Sequence, residues 1–155
     1  MLTFTLDDAR LQQLLSRLER GLDAGFPRAM KRADQVMARS IDLNFRQRGR
    51  PAWAPLSPMT LRLTAGRRVA GDAPLRLTDT LRRSVVATAG SGARGQVSRV
   101  GPFEAVRGTN LPYAATHQGG RKRIPARPFL VIHEADKTEI VSALGAEIAA
   151  MVKGL

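Results

Sequence analysis

The stretch Ile124-Pro125-Ala126-Arg127-Pro128-Phe129-Leu130 limits the fold more than any other part of the chain. Each proline fixes its own φ near about −65° and forces the residue before it, Ile124 or Arg127, into extended backbone. Two backbone donors are also missing. The segment is therefore predicted to be an extended ribbon, neither a helix nor a central strand. It holds Arg127 and Phe129 in a nearly fixed geometry, and such rigidity is expected to keep something in place. Upstream, Gly119-Gly120-Arg121-Lys122-Arg123 reads as a mobile, strongly basic turn. Before that turn, Tyr113 to Gln118 forms a compact segment with one aromatic residue and the polar pair His117 and Gln118.

Helical periodicity frames this ribbon on both sides. Leu11, Leu14, Leu15, Leu18 and Leu22 recur on one helical face, with Asp7 and Asp8 at its start. Gly21 to Gly25 is expected to end or break that helix, and Pro27 to open a second one. The second carries the stripe Met30, Ala33, Met37, Ile41 and Phe45 and stops near Gly49 and Pro51. Core packing is the expected role of that stripe, ahead of a membrane surface. Trp53, between Pro51 and Pro55, reads first as an anchor of its loop on the core and second as an interface residue. Ser57-Pro58 is an N-cap followed by a first-turn proline. Thr78 is read as the cap of another short helix, with Asp79 first in it and its end near Ser84. Val85 to Thr88 is strand-like, Gly90 to Gly95 a hairpin turn and Gln96 to Val100 a period-two strand. A third strand is expected near Ala105 to Arg107. From Ala135 to Lys153 the chain is again helical, with Ile140, Val141, Leu144, Ile148, Met151 and Val152 as its apolar face. The predicted class is α+β: N-terminal helices and a C-terminal helix packed around a small antiparallel β-sheet with long basic loops, in a single domain over residues 1–155. Aromatic residues make up only 5% of the chain, so aliphatic side chains are expected to build the core.

Charge is the strongest compositional signal. The 25 basic and 13 acidic residues leave a net +12. Between Pro51 and His133 the only acidic residues are Asp72, Asp79 and Glu104. Such an excess favours nucleic acid or acidic protein surfaces as partners, although a soluble chain kept dispersed by its charge is the plainer alternative. Arginine dominates, and its planar fork suits protein interfaces as well as phosphate. The absence of cysteine removes disulfides, zinc–thiolate sites and cysteine nucleophiles. No apolar run is long enough to span a bilayer, so no membrane partner is expected. Met1 to Asp8 lacks the features of a signal peptide.

Catalysis finds little support. His117 and His133, the only histidines, have neither HExxH spacing nor neighbouring carboxylates, and the Gly119-Gly120-Arg121-Lys122 run lacks the spacing of a phosphate-binding loop. His117 and Gln118 read as a structural hydrogen-bonding pair. No enzyme activity, metal or cofactor is expected.

Three blocks together give the chain a family likeness: Arg50-Pro51-Ala52-Trp53-Ala54-Pro55-Leu56-Ser57-Pro58 followed by Thr60; Leu77-Thr78-Asp79-Thr80-Leu81; and Tyr113-Ala114, His117-Gln118-Gly119 and Ile124 to Leu130 after Gly108-Thr109-Asn110. Their order resembles the phage virion morphogenesis, or tail-completion, family of Mu-like and P2-like contractile-tailed phages. Asp79 departs from the family pattern by standing where a glycine is expected, and the Gly119-Gly120 pair departs from it because a bulky residue often precedes the second glycine. The resemblance implies a structural virion protein acting in tail completion and head–tail joining. It would sit at the head-proximal end of the tail after assembly in the host cytoplasm, as a subunit of a ring, six-fold to match the tail tube. Its partners would be copies of itself, the tail tube or terminator proteins and head–tail connector proteins, with transient contact with phage DNA. Trp53, Tyr113, His117, Gln118, Arg121, Lys122, Arg123, Arg127 and Phe129 are the candidate interaction residues. Of these, Arg121, Lys122, Arg123 and Arg127 are expected to face an acidic partner ring or DNA, and a solvated basic turn is the alternative for the first three. Phe129 and Leu130 are expected in the core, with Tyr113 against them. A basic nucleic-acid-binding module is the competing reading, although the aromatic interleaving of single-strand binders is missing.

Overall fold

The computed structural model describes residues 8–153, and along its helices the side chains at positions 8–11, 14, 15, 18, 22, 24 and 151 fall outside that description. The leucine stripe from Leu11 to Leu22, together with Asp7 and Met151, therefore lies outside the described residues.

One helix, α1 (Asp8–Arg46), replaces the two expected at the N-terminus. Pro27 sits inside it rather than at a start. An interior proline removes one helical hydrogen bond and costs about 3 kcal/mol in isolation. Long-range packing offsets that cost: buried Gly25 lies against Glu147, Ala29 and Ala33 are buried, and Arg28 pairs with Glu147 at 3.1 Å. Those contacts come from α5 (Glu134–Lys153), which lies antiparallel along α1. The stop after Arg46 falls where Gly49 predicts it. Gly49 adopts φ +101°, and a Cβ there would overlap the Trp53 ring.

Between these two helices the chain forms α2 (Pro58–Leu63), α3 (Thr80–Val86), β1 (Gln96–Val100), β2 (Ala105–Thr109) and α4 (Ala114–Gly119). Ser57 caps α2 as expected, its hydroxyl accepting the Thr60 amide at 3.1 Å. In α3 the cap is Asp79, not Thr78. Asp79 takes φ +60°, the left-handed backbone a glycine would supply, and uses its carboxylate for Arg76 and Arg82 instead of for the helix. The predicted strand at Val85 to Thr88 is not formed. Val85 and Val86 belong to α3, because Leu81 and Val85, four residues apart on a helix, both reach the core. The hairpin turn moves accordingly from Gly90–Gly95 to Gly101–Glu104. β1 and β2 flank it in antiparallel register, from Gln96 opposite Thr109 to Val100 opposite Ala105. The class is α+β, with a sheet of two strands.

Ile41, Phe45, Trp53, Leu81, Val85, Leu111, Ala114 and Phe129 form the core. Most of its side chains are aliphatic, as expected, and three aromatic rings meet within it. Phe45 meets Trp53 edge-on at 5.7 Å between ring centroids and Phe129 at the same distance. Few aromatic residues exist, but three of them converge. The apolar face expected on α5 is divided. Ile140 and Leu144 are half-buried, whereas Val141, Ile148 and Val152 are exposed. The side of α5 turned toward α1 is largely polar, with Asp136 and Glu147 bonded across it.

Candidate functional site

The proline ribbon is held by side chains in place of a strand ladder. Extended backbone without a neighbouring strand must find other partners when it is buried. Gln118, at the end of α4, accepts the amides of Phe129 and Leu130 with one oxygen, each at 3.0 Å. Asn44, buried in α1, donates to the carbonyls of Phe129 and Val131 at 2.9 and 3.0 Å. Trp53 donates its indole N–H to the Pro128 carbonyl at 3.1 Å. The Arg127 amide reaches the His117 carbonyl at 2.7 Å. Asn44 is itself positioned by Arg50, which also donates to Ser40, and Ser40 donates to Asp136 at 2.6 Å. The clasp therefore joins α1, α4, α5 and the tryptophan loop. Sequence reasoning missed Asn44, Ser40 and Asp136. The available signal was a pair of polar residues four apart, Ser40 and Asn44, interrupting the apolar side of a long helix.

Several candidate residues prove internal. Trp53 and Phe129 are core residues, so Trp53 takes the anchoring role and Phe129 cannot face a partner. Arg127 is only 5% exposed, and its guanidinium donates to the carbonyls of Ala54 and Pro55 at 2.9 Å each. The expectation that it presents charge outward is thus corrected: its fork is spent on tethering the tryptophan loop. Burial lowers its pKa from the ordinary arginine value. Gln118 bonds the ribbon rather than pairing with His117.

His117 and Tyr113 instead line a cleft of about 400 Å³ with Leu56, Leu75, Leu77 and Leu81. Tyr113 is exposed and meets His117 edge-on at 6.0 Å. Desolvation, and then the nearby Arg127 charge, push the His117 pKa below its ordinary value, so the ring is neutral at pH 7. Its Nδ1 is buried with no hydrogen-bond partner among the described residues. The cleft lining carries no carboxylate. Among the described residues no group of three His, Cys, Asp or Glu could hold a metal ion, and no helix is long and apolar enough to cross a membrane.

Arg121, Lys122 and Arg123 separate from Arg127. All three are exposed. The turn that bears them is closed rather than loose. The Arg121 amide bonds the Ile124 carbonyl at 2.9 Å, and the Ile124 amide returns to Arg121 at 2.8 Å. Gly120, at φ +75°, lets the ribbon pass: a Cβ there would come within 2.8 Å of the Ala126 nitrogen. The three cations thus stand on a short two-bonded turn fixed at one end to the clasp.

Four arginines of the central region, Arg76, Arg82, Arg99 and Arg107, are tied to acids. Arg107 is the extreme case, its side chain 2% exposed and paired with Asp34 at 2.6 Å, while it also donates to the carbonyls of Val85 and Ala87. Arg82 bridges Asp42 and Asp79, and Arg48 pairs with Asp72 at 2.7 Å. For Arg121, Lys122 and Arg123 no acid lies within salt-bridge distance among the described residues.

Compared with known families, the chain matches the phage virion morphogenesis family over residues 6–149. It is similar to the Mu-like prophage FluMu G protein 2 of Haemophilus influenzae, 33% identical over 139 residues that cover 84% of this chain and 85% of that protein. No solved structure matches it significantly. The cap at Asp79, the tryptophan loop and the ribbon clasp all lie inside the matched span, and the chain belongs to the phage virion morphogenesis family.

Proposed function

We propose that the protein is a structural subunit for tail completion and head–tail joining, acting as a ring at the head-proximal end of the tail and performing no chemistry. The observation that carries this reading is the basic turn. Arg121, Lys122 and Arg123 are exposed on a closed turn whose following ribbon is anchored by the buried Arg127 and Phe129. A rigid mount lowers the ordering cost of binding, and a cluster of cations without local acids attracts a complementary acidic surface. In a cyclic assembly each copy offers two different faces, and the partners would be further copies, tail tube or terminator proteins and connector proteins.

The test is complementation of a deletion in the phage with wild-type protein or with the triple variant Arg121→Ala, Lys122→Ala, Arg123→Ala. Electron microscopy of the lysate is expected to show unjoined heads and tails in the deletion, and few joined particles with the triple variant. Joined, infectious particles lacking the protein altogether would overturn the reading. The same cations suit DNA passing through a lumen. Tight DNA binding by the wild type that falls steeply with salt, and is lost in the triple variant, would assign the turn to nucleic acid instead.

A further inference from the structure

The hairpin of β1 and β2 carries an apolar knob at its far end. Its turn is closed by the Gly101 amide on the Glu104 carbonyl at 2.8 Å, and Pro102 fixes φ at the first of the two central positions. Phe103 stands at the second and is 67% exposed, more than any other large apolar side chain among the described residues. A closed turn holds this ring ready, which lowers the ordering cost of using it in a contact. Beside it, Glu104 is the single acid between Thr80 and His133. Its pairing with Arg99 is open to solvent on both sides, and such pairs exchange partners at little cost.

The cleft lined by Leu56, Leu75, Leu77 and Leu81 has the complementary character. Threonine hydroxyls in its lining are already used: Thr78 and Thr80 bond each other, and Thr64 donates to the Thr60 carbonyl. The leucine faces therefore set its preference for an apolar guest. A cavity of about 150 Å³ is enough to hold benzene, so about 400 Å³ takes a phenyl ring together with the backbone that bears it. Arg68 stands in the lining with its guanidinium on the carbonyls of Gly71 and Ala73, and no acid lies within salt-bridge distance of it among the described residues. Asp72 and Asp79, in the same stretch of chain, are held by Arg48, Arg76 and Arg82. A phenyl ring followed by a carboxylate matches this cleft in shape and in charge.

One copy cannot bring the two together. The hairpin lies along α1, with Arg107 on Asp34 and the Phe103 ring 5.3 Å from that of Phe26 between centroids. Leu81 of the cleft belongs to the same core cluster as Phe45. Phe26 and Phe45 are about 28 Å apart along the helix at 1.5 Å per residue, so knob and cleft lie toward opposite ends of that span. We propose that Phe103 of one copy inserts into the leucine cleft of a second copy, with Glu104 reaching Arg68. The contact joins two different surfaces, so it repeats from copy to copy and closes into a ring where the rotation allows. This rests on the assembly reading above and names the surfaces that would build it.

The test places photoreactive p-benzoylphenylalanine at position 103 of the full chain, which keeps an aromatic knob there, and maps the adducts formed on irradiation. Products at the mass of two chains, joined within residues 75–81 or 113–117, are expected. Phe103→Ala, a change at an exposed site, is expected to reduce the assembled mass in light scattering with an unchanged circular dichroism spectrum, and Phe103→Leu to restore much of it. Glu104→Gln is expected to weaken assembly severalfold at low salt and little at high salt, where the ion pair is screened. Adducts joining position 103 of one copy to the hairpin of another would mean a symmetric contact and overturn the proposal. So would a wild-type oligomer that gives no adduct in the cleft and keeps its mass in Phe103→Ala; in that case a joining defect in the deletion still supports the assembly reading. A wild type that stays monomeric at every concentration, with adducts only inside one chain near Phe26, overturns the proposal as well.

Discussion

At the scale of single residues, the informative positions are charged or polar groups held where water is scarce. Arg107 donates its guanidinium to Asp34 and to two carbonyls at the end of α3. Removing it leaves a carboxylate buried without its partner, and losses of this type run to about 3–5 kcal/mol. Arg107→Ala is therefore expected to lower the urea midpoint sharply. The double variant Arg107→Leu with Asp34→Leu is expected to recover much of the loss, since neither charge is then stranded. His117 gives a pH signature. Its folded pKa lies below the ordinary imidazole value, first through desolvation and then through Arg127, so the unfolded chain takes up a proton at higher pH than the folded one. Its contribution is full above about pH 6.5, the ordinary imidazole value, and is lost as pH falls through the folded pKa. Urea unfolding of the wild type at pH 7.5 and pH 5.5, against His117→Leu, measures this. The variant is expected to lose less stability on acidification, and an identical loss in both would remove His117 as the cause.

At the scale of elements, the ribbon depends on Gln118. One side-chain oxygen accepts two amides that have no ladder partner. Gln118→Ala is expected to cost about 2–6 kcal/mol, because each of the two stranded amides carries a desolvation penalty of about 1–3 kcal/mol. Hydrogen exchange at the Phe129 and Leu130 amides is expected to accelerate by more than at α5, which the bond does not touch. The ribbon was legible from Pro125 and Pro128 because proline acts on its own backbone. The Ser57-Pro58 helix start was legible for the same reason. What failed to show were features decided by distant partners. Gly21, Gly25 and Pro27 are breakers in a local reading, yet α5 packs on Gly25 and pairs with Arg28, and α1 stays whole. Val85 and Val86 have strand propensity, but Phe45 and Leu111 need Val85 on a helix beside Leu81. Arg127 looked like its basic neighbours, and only the carbonyls of Ala54 and Pro55, more than seventy residues away, turn it inward.

At the scale of the whole molecule, the net +12 and the ion pairs act in opposite directions when salt changes. The sequence shows the excess of cations but not which of them are neutralised in place. The fold pairs Asp34, Asp42, Asp72, Asp79, Glu104, Glu134, Asp136, Glu139 and Glu147, so most of the 13 acids are committed to cationic partners. The unmatched cations, Arg121, Lys122 and Arg123 among them, then repel one another across the surface. Raising salt from about 10 mM to about 150 mM shortens the screening length from about 30 Å to about 8 Å, which removes long-range repulsion but leaves buried pairs such as Arg107–Asp34 little changed. The thermal midpoint is therefore expected to rise over that range. The triple variant Arg121→Glu, Lys122→Glu, Arg123→Glu lowers the net charge from +12 to +6, three changes of two charges each, and is expected to flatten the rise. A midpoint that falls with salt in the wild type would mean that exposed pairs such as Arg48–Asp72 and Arg99–Glu104 outweigh the repulsion. The unpaired turn would then lose its standing as a source of surplus charge. A rise that the triple variant abolishes ties that surplus to the three side chains on which the joining reading depends.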